Sequence, residues 1–276
     1  MAIKQLIDKL LSRRAANEQS HPEARLTDKQ REKLNHTFMD RLDNLEDPQA
    51  RYDLAVQFSE KGATQALYTL GVFYEQGDGQ KTYPELAAEC YWRAGKFDIA
   101  EAQYNLGLLY AQGQLGQVDL VSAHYWFTEA TKHNLAQAQF NLATFYEDGL
   151  GCVEDLKKAF ELYQAAADQG FVTAWHNLAL MHYSGKGTQR NPITAYAWVL
   201  LAAKAGLKEA QETEPVFTEE LKSEQILAGK ELLAQLEEQF SDYLPPSSKA
   251  TPNSEEPKSA NENNDSDDDD NFYEVK

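Results

Sequence analysis

Residues 140–170 read FNLATFYEDGLGCVEDLKKAFELYQAAADQG, and this stretch decides the fold. Shifting the chain by 36 residues lays Leu142 over Leu70, Leu106 and Leu178, and Ala143 over Gly71, Gly107 and Ala179. The same shift aligns Gly149 with Gly77, Gly113 and Gly185, and Ala138 with Ala66, Ala102, Ala174 and Ala210. Ala159 matches Ala87, Ala123 and Ala195, and Ala166 matches Ala94, Ala130 and Ala202. A fixed period of this kind marks a repeat architecture. The boundaries fall at 63–98, 99–134, 135–170 and 171–206.

Each repeat reads as two helices. In the second, AEAQYNLGLLYAQG puts Ala102, Leu106, Leu109 and Tyr110 on one helical face, and a glycine turn ends the run. The following helix opens on Asp119, Asp155 or Asn191, residues that accept hydrogen bonds from free N–H groups. Pro84 and Pro192 suit a first helical position, where no N–H partner is needed. The helix closes at Gly62, Asp98, Asn134, Gly170 and Gly206, where a left-handed residue is expected. One such hairpin cannot bury its own apolar stripe, so stacking is required. The pattern predicts an all-α fold, a right-handed α-solenoid of two-helix repeats.

These residues carry a resemblance. The string A-x-x-x-L-G-x-x-Y-x-x-G-x-G, followed by D-x-x-x-A and A-A-x-x-G, resembles the Sel-one-like repeat family, a relative of the tetratricopeptide repeat. The match is strong over 63–206. The second repeat departs from it by one extra residue in its glycine turn, and the fourth has His182 where the others have Tyr74, Tyr110 and Tyr146. The resemblance implies a bacterial, cytoplasmic adaptor for other proteins. Some secreted relatives carry a cysteine pair in each repeat and are linked to β-lactam binding. With only Cys90 and Cys152, this chain lacks those pairs.

Outside the repeats, residues 1–46 form an N-terminal capping region. Ile3, Leu6, Ile7, Leu10 and Leu11 make an amphipathic stripe beside Lys4, Lys9, Arg13 and Arg14. It either closes the solenoid's end or, in a membrane-surface scaffold, residues 1–14 lie on lipid. No signal-peptide core is expected there. A second helix runs from Leu26 to Leu45, with Thr27 as cap and Leu34, Phe38, Leu42 and Leu45 as stripe. Residues 47–62 supply a degenerate leading helix. Residues 207–242 read as a helical extension in which Pro215 breaks one helix and Ser223 caps the next. Residues 243–276 have the composition of a disordered acidic tail.

Charge sorts the partners. The 276 residues hold 26 Lys+Arg against 44 Asp+Glu, a net charge of −18. That excess argues against nucleic acid, which needs a basic surface. Residues 1–50 are neutral, 51–240 carry −11 and 241–276 carry −7. No apolar run reaches the roughly 20 residues of a membrane span.

Catalytic constellations are absent from the pattern, and neither a metal site nor a cofactor is expected. The histidines form no H-x-x-x-H pair, and His176 and His182 stand six apart on different sides of one helix. A hydrolase-like or enzyme-regulatory module is the competing function. In tetratricopeptide-type solenoids the first helices line the concave face. Carried over, that register holds Thr69, Asn105, Asn141 and Asn177, preceded by Tyr68, Tyr104, Phe140 and His176. Glu75, Glu147, Asp148 and Tyr183 follow along the same face. An amide row can read a peptide backbone, and the acidic edge suits a partner with basic and apolar side chains. The same asparagines also suit packing between repeats. In the tail, Asp267, Asp268, Asp269 and Asp270 with Phe272 and Tyr273 resemble an acidic–aromatic docking motif.

Overall fold

Asp119, Asp155 and Asn191 accept the N–H groups of Ser122, Lys158 and Thr194 at 3.0, 3.1 and 3.2 Å, so the second helices of the last three repeats start where their caps predict. The computed structural model describes residues 21–77 and 81–245. The amphipathic stripe of residues 1–14 and the acidic–aromatic motif of the tail lie outside them. A 3₁₀ turn, Pro22–Arg25, leads into α1 (Asp28–Leu42) and α2 (Pro48–Glu60). Four hairpins follow: α3 (Thr64–Gln76) with α4 (Pro84–Gly95), α5 (Ala100–Ala111) with α6 (Leu120–Thr131), α7 (Ala136–Asp148) with α8 (Leu156–Ala167), and α9 (Val172–Ser184) with α10 (Pro192–Lys204). Two further helices, α11 (Lys208–Glu220) and α12 (Ser223–Gln239), both pack on α10. Each second helix packs on its own first helix and on the next one, which makes an all-α solenoid of paired helices.

The punctuation repeats. Gly62, Asp98, Asn134, Gly170 and Gly206 all take positive φ, from 58° to 99°, at the ends of the second helices and α2. Within each hairpin one backbone bond closes the loop. Tyr74, Tyr110, Tyr146 and His182 offer their carbonyls to the N–H groups of Tyr83, Asp119, Asp155 and Asn191 at 2.7–3.0 Å. The fourth-repeat histidine therefore keeps the closure, because the bond uses only backbone. Gly151 and Gly187 then seat each loop on the preceding hairpin. A Cβ on Gly151 would come within 2.2 Å of the Leu120 carbonyl oxygen, and one on Gly187 within 2.0 Å of that of Leu156.

Two expectations about the ends need correction. Pro215 lies inside α11 and does not break it. Its ring removes one N–H, and the carbonyl it frees belongs to Gln211, an exposed residue that water can reach. Ser223 is the first helical residue of α12, and Lys222 occupies the cap, its N–H bonded to the Gln225 side chain at 3.1 Å. At the other end, Thr27 and Gln30 form the reciprocal capping box of α1.

A buried ion pair ties the N-terminal turn to the first hairpin. Glu23 accepts from Arg93 Nε and a terminal guanidinium nitrogen at 2.6 and 2.7 Å, and the two residues are 1% and 2% exposed.

Two histidines occupy equivalent seams. His124 on α6 meets Tyr146 edge-on at 5.2 Å, and 36 residues later Phe160 on α8 meets His182 at 5.3 Å. Burial, with the charge of Lys158, holds His124 below its ordinary pKa of 6.5, and burial does the same for His182. Because both folded-state values are depressed, protonation favours the unfolded chain. Their stabilising contribution is whole above about pH 6.5 and drains away as pH falls toward the folded-state values. The thermal midpoint is expected to drop on acidification from neutrality, and to drop less when His124→Phe and His182→Tyr are combined. Parallel pH profiles for parent and double variant would refute this.

Candidate functional site

The first helices α5, α7 and α9 bring together Tyr104, Phe140, Asn141, His176 and Asn177 around one groove of about 470 Å³. Phe171 and Leu207, the residues just before α9 and α11, add apolar walls, and Glu209 on α11 stands at the margin. A second cavity of about 280 Å³ shares Phe140, Asn141 and Asn177 and adds Glu147, Asp148 and Tyr163. The two form one aromatic and amide surface with acidic groups at its edges. Of the five glutamates in α11, Glu209 is the one that lines the groove. His176 Nε2 lies 3.2 Å from Thr213 Oγ1 and fastens that helix to α9.

The remaining candidates do not join the groove. Tyr68 packs on Tyr91 at 6.0 Å, and Thr69 bonds back to the Gln65 carbonyl at 3.0 Å. Tyr183 faces Phe217 at 4.7 Å, with Arg190 over its ring. Glu75 accepts the Tyr91 hydroxyl at 2.6 Å, and the Asn105 amide near the same hydroxyl works against the upward push of burial on its pKa. Burial raises the pKa of the Glu75 carboxyl, against the lowering effect of the Tyr91 bond.

A recurring polar device explains these positions. Tyr163, 36 residues after Tyr91, donates to Glu147 at 3.0 Å, with the Asn177 amide nearby. Carboxylate and phenol are thus joined in two of the seams, close to the amide of the next hairpin. Between them the carboxylate and phenol are replaced together by Ala111 and Phe127, both buried. There Asn141 turns instead to the Tyr104 hydroxyl, donating at 3.1 Å. Asn141 is therefore engaged within the fold. Burial pushes the Tyr91 and Tyr163 hydroxyls well above the ordinary phenol range and raises that of Tyr104, so all three stay neutral.

Phe171, Leu207 and Glu209 escaped the sequence reading. The signal was present: Ala63, Ile99, Leu135, Phe171 and Leu207 all follow a left-handed turn at the same register. Each is the residue before a first helix, aimed by the turn it follows.

Trp126 and Trp198 are buried, in keeping with a packing role. Among the described residues no cluster of three or more His, Cys, Asp or Glu could hold a metal ion. Cys90 and Cys152 are both free thiols. Burial pushes the Cys90 thiol up to about 12 and raises Cys152 as well, opposite to the depression that activates a nucleophile. No described helix is long and apolar enough to cross a membrane.

Comparison with known proteins agrees with this architecture. The Sel1 repeat model matches residues 64–96, 100–135, 136–171 and 174–207, just over half of the chain. A protective antigen of uropathogenic Escherichia coli strains, displaying an SLR fold, superposes with a TM-score of 0.68 at 24% identity. The alignment covers 84% of this chain and 50% of that one, so this chain spans half the length of that relative. A Sel1 repeat protein from Oxalobacter formigenes superposes with a TM-score of 0.52 at 25% identity, over 68% of this chain and 74% of the other. No curated protein sequence matches closely enough to relate the two. With four matched units in one register and the hairpins to go with them, the chain belongs to the Sel1 repeat family.

Proposed function

We propose that the chain is a non-catalytic scaffold that presents the α5–α7–α9 groove to a peptide segment of another protein, in the bacterial cytoplasm. The observation that carries this reading is the convergence of Tyr104, Phe140, Asn141, His176 and Asn177, from three successive first helices, on one open groove. Tyr104 and Asn141 are held to each other by the fold itself, so little ordering entropy is lost by the host on binding. Phe140, Phe171 and Leu207 offer apolar contact, and Glu209, Glu147 and Asp148 offer counter-charges. The fitting ligand carries Lys or Arg beside Leu or Phe.

Panning the chain against a short-peptide display library is expected to enrich such sequences. A synthetic enriched peptide is expected to lose about tenfold in affinity, some 1.4 kcal/mol, against chain carrying Glu209→Lys and His176→Ala. Circular dichroism and the thermal midpoint control for folding. Enrichment of peptides without basic residues, or binding indifferent to both changes, rejects the groove.

A further inference from the structure

One stretch of the second-helix surface is apolar and uncovered. Val121 and Tyr125, one turn apart on α6, are 68% and 53% exposed, and Val118, just before the cap, is exposed as well. The loop seated on this end of α6 adds the exposed Val153. Gly151 brings that loop in, and a Cβ on it would lie 2.8 Å from the Val121 nitrogen. None of these four apolar residues lines either cavity of the groove. Exposed apolar side chains grouped in this way mark an interaction surface.

The other repeats show what such a face is for. In the first and third units the counterparts of Val121 and Tyr125 are charged: Glu85 and Glu89, Lys157 and Glu161. In the fourth they are Ile193 and Ala197, and there α12 lies over the face. At Gly229 the two helices are so close that a Cβ would meet the Tyr196 ring at 2.6 Å and the Ile193 carbonyl oxygen at 3.4 Å. Ala197 is 0% exposed, in contrast to Tyr125. Ile226, Leu232, Leu233 and Leu236 of α12 join the apolar cluster that holds Tyr196 and Ala197. Glu237 then closes the contact on Lys204. At the register of Lys204, α6 carries Lys132, where α8 has Asp168. Lys132 is exposed and pairs only with Glu129 of its own helix among the carboxylates within 4.0 Å, a contact of little worth that an incoming carboxylate can share. The second repeat thus has both the apolar face and the cation that receive a helix in the fourth.

We infer that this face of α6 is a docking site for an amphipathic helix of a partner protein, built as α12 is built. Such a helix carries a small residue at the close approach and leucine or isoleucine along the same stripe. A carboxylate about two turns further on meets Lys132, as Glu237 stands eight residues beyond Gly229. The surface is separate from the α5–α7–α9 groove, and its occupant does not depend on what the groove holds.

The probe is a fluorescein-labelled peptide of residues 223–239, held helical by a lactam between Lys230 and the carboxylate of Ala234→Glu, two positions exposed in α12. Without that bridge so short a helix is marginal in water. Titrated against the full chain by fluorescence anisotropy, the probe is expected to bind. Val121→Gln combined with Tyr125→Gln is expected to weaken it about tenfold or more. Lys132→Glu alone is expected to weaken it about threefold, and Glu237→Lys in the peptide to restore the loss. Circular dichroism and the thermal midpoint control for folding of each variant. Binding indifferent to positions 121 and 125 means that the probe displaces the chain's own α12 from α10, and overturns the inference. A parent chain that leaves the probe free overturns it as well. So does a loss at Lys132→Glu that the charge swap does not restore, because the register shared with α12 would then be wrong. A parent dimer in sedimentation equilibrium, dispersed by Val121→Gln with Tyr125→Gln, would assign the face to a second copy and reject a partner helix.

Discussion

Replacing Glu23 by alanine is expected to lower stability by about 3–5 kcal/mol, measured as a shift in the urea midpoint at unchanged slope. Arg93 would remain 2% exposed in the parent geometry with both of its short Glu23 bonds, 2.6 and 2.7 Å, removed. The penalty is chiefly that of a buried guanidinium stripped of its two-point partner, with the neighbouring Glu89 charge remaining, and the lost attraction is a smaller part. A decisive second measurement follows from that distinction. Changing Glu23 and Arg93 together to apolar residues of similar volume is expected to recover most of the loss. If the double variant is as unstable as the single one, packing and not charge holds the turn in place. The pair fastens residues 70 apart in sequence, so its removal is also expected to loosen the Pro22–Arg25 turn from α4.

Gly187→Ala and Gly151→Ala should each cost about 2–4 kcal/mol. Two effects add. Both residues hold φ near +65°, where a Cβ is strained by about 1 kcal/mol. Both would also drive that Cβ to within 2.0–2.2 Å of a backbone carbonyl oxygen in the preceding hairpin, and backbone cannot swing aside as a side chain can. Overpacking of this sort adds roughly 1–3 kcal/mol. Gly149→Ala is the control, since it shares the loop and a φ of 67°, yet its nearest neighbour would be 3.4 Å away. It should lose only the strain, about 1 kcal/mol. Equal losses at positions 149 and 151 would show that the seating of loop on helix contributes nothing.

Why some of this was legible follows from range. Caps, left-handed ends and the 36-residue spacing are local, so Asp119, Asp155, Asn191, Gly62 and Gly206 could be placed from neighbouring residues alone. Half of the groove was legible for the same reason, because Tyr104, Phe140 and His176 share one register. Glu23 and Arg93 belong to no shared period, and nothing near either residue announces the other. The split among the asparagines was hidden differently. Whether Asn105 or Asn141 meets a tyrosine of the second helix depends on Tyr91 against Phe127, a residue away in space but 14 away along the chain. Pro215 misled because its effect depends on which side of α11 faces water, a property set by α10 and not by the residues around it.

The paired replacement of Glu75 and Tyr91 by Ala111 and Phe127 has a consequence for rebuilding this molecule. A carboxylate transplanted opposite Phe127 would lose the phenol that donates to it, and a phenol opposite Ala111 would bury a hydroxyl without the carboxylate that accepts it in the other seams. A single helix from one unit is therefore not interchangeable with its counterpart in the next. The smallest module that can be shuffled, duplicated or grafted is the whole hairpin, carried together with the asparagine of its successor.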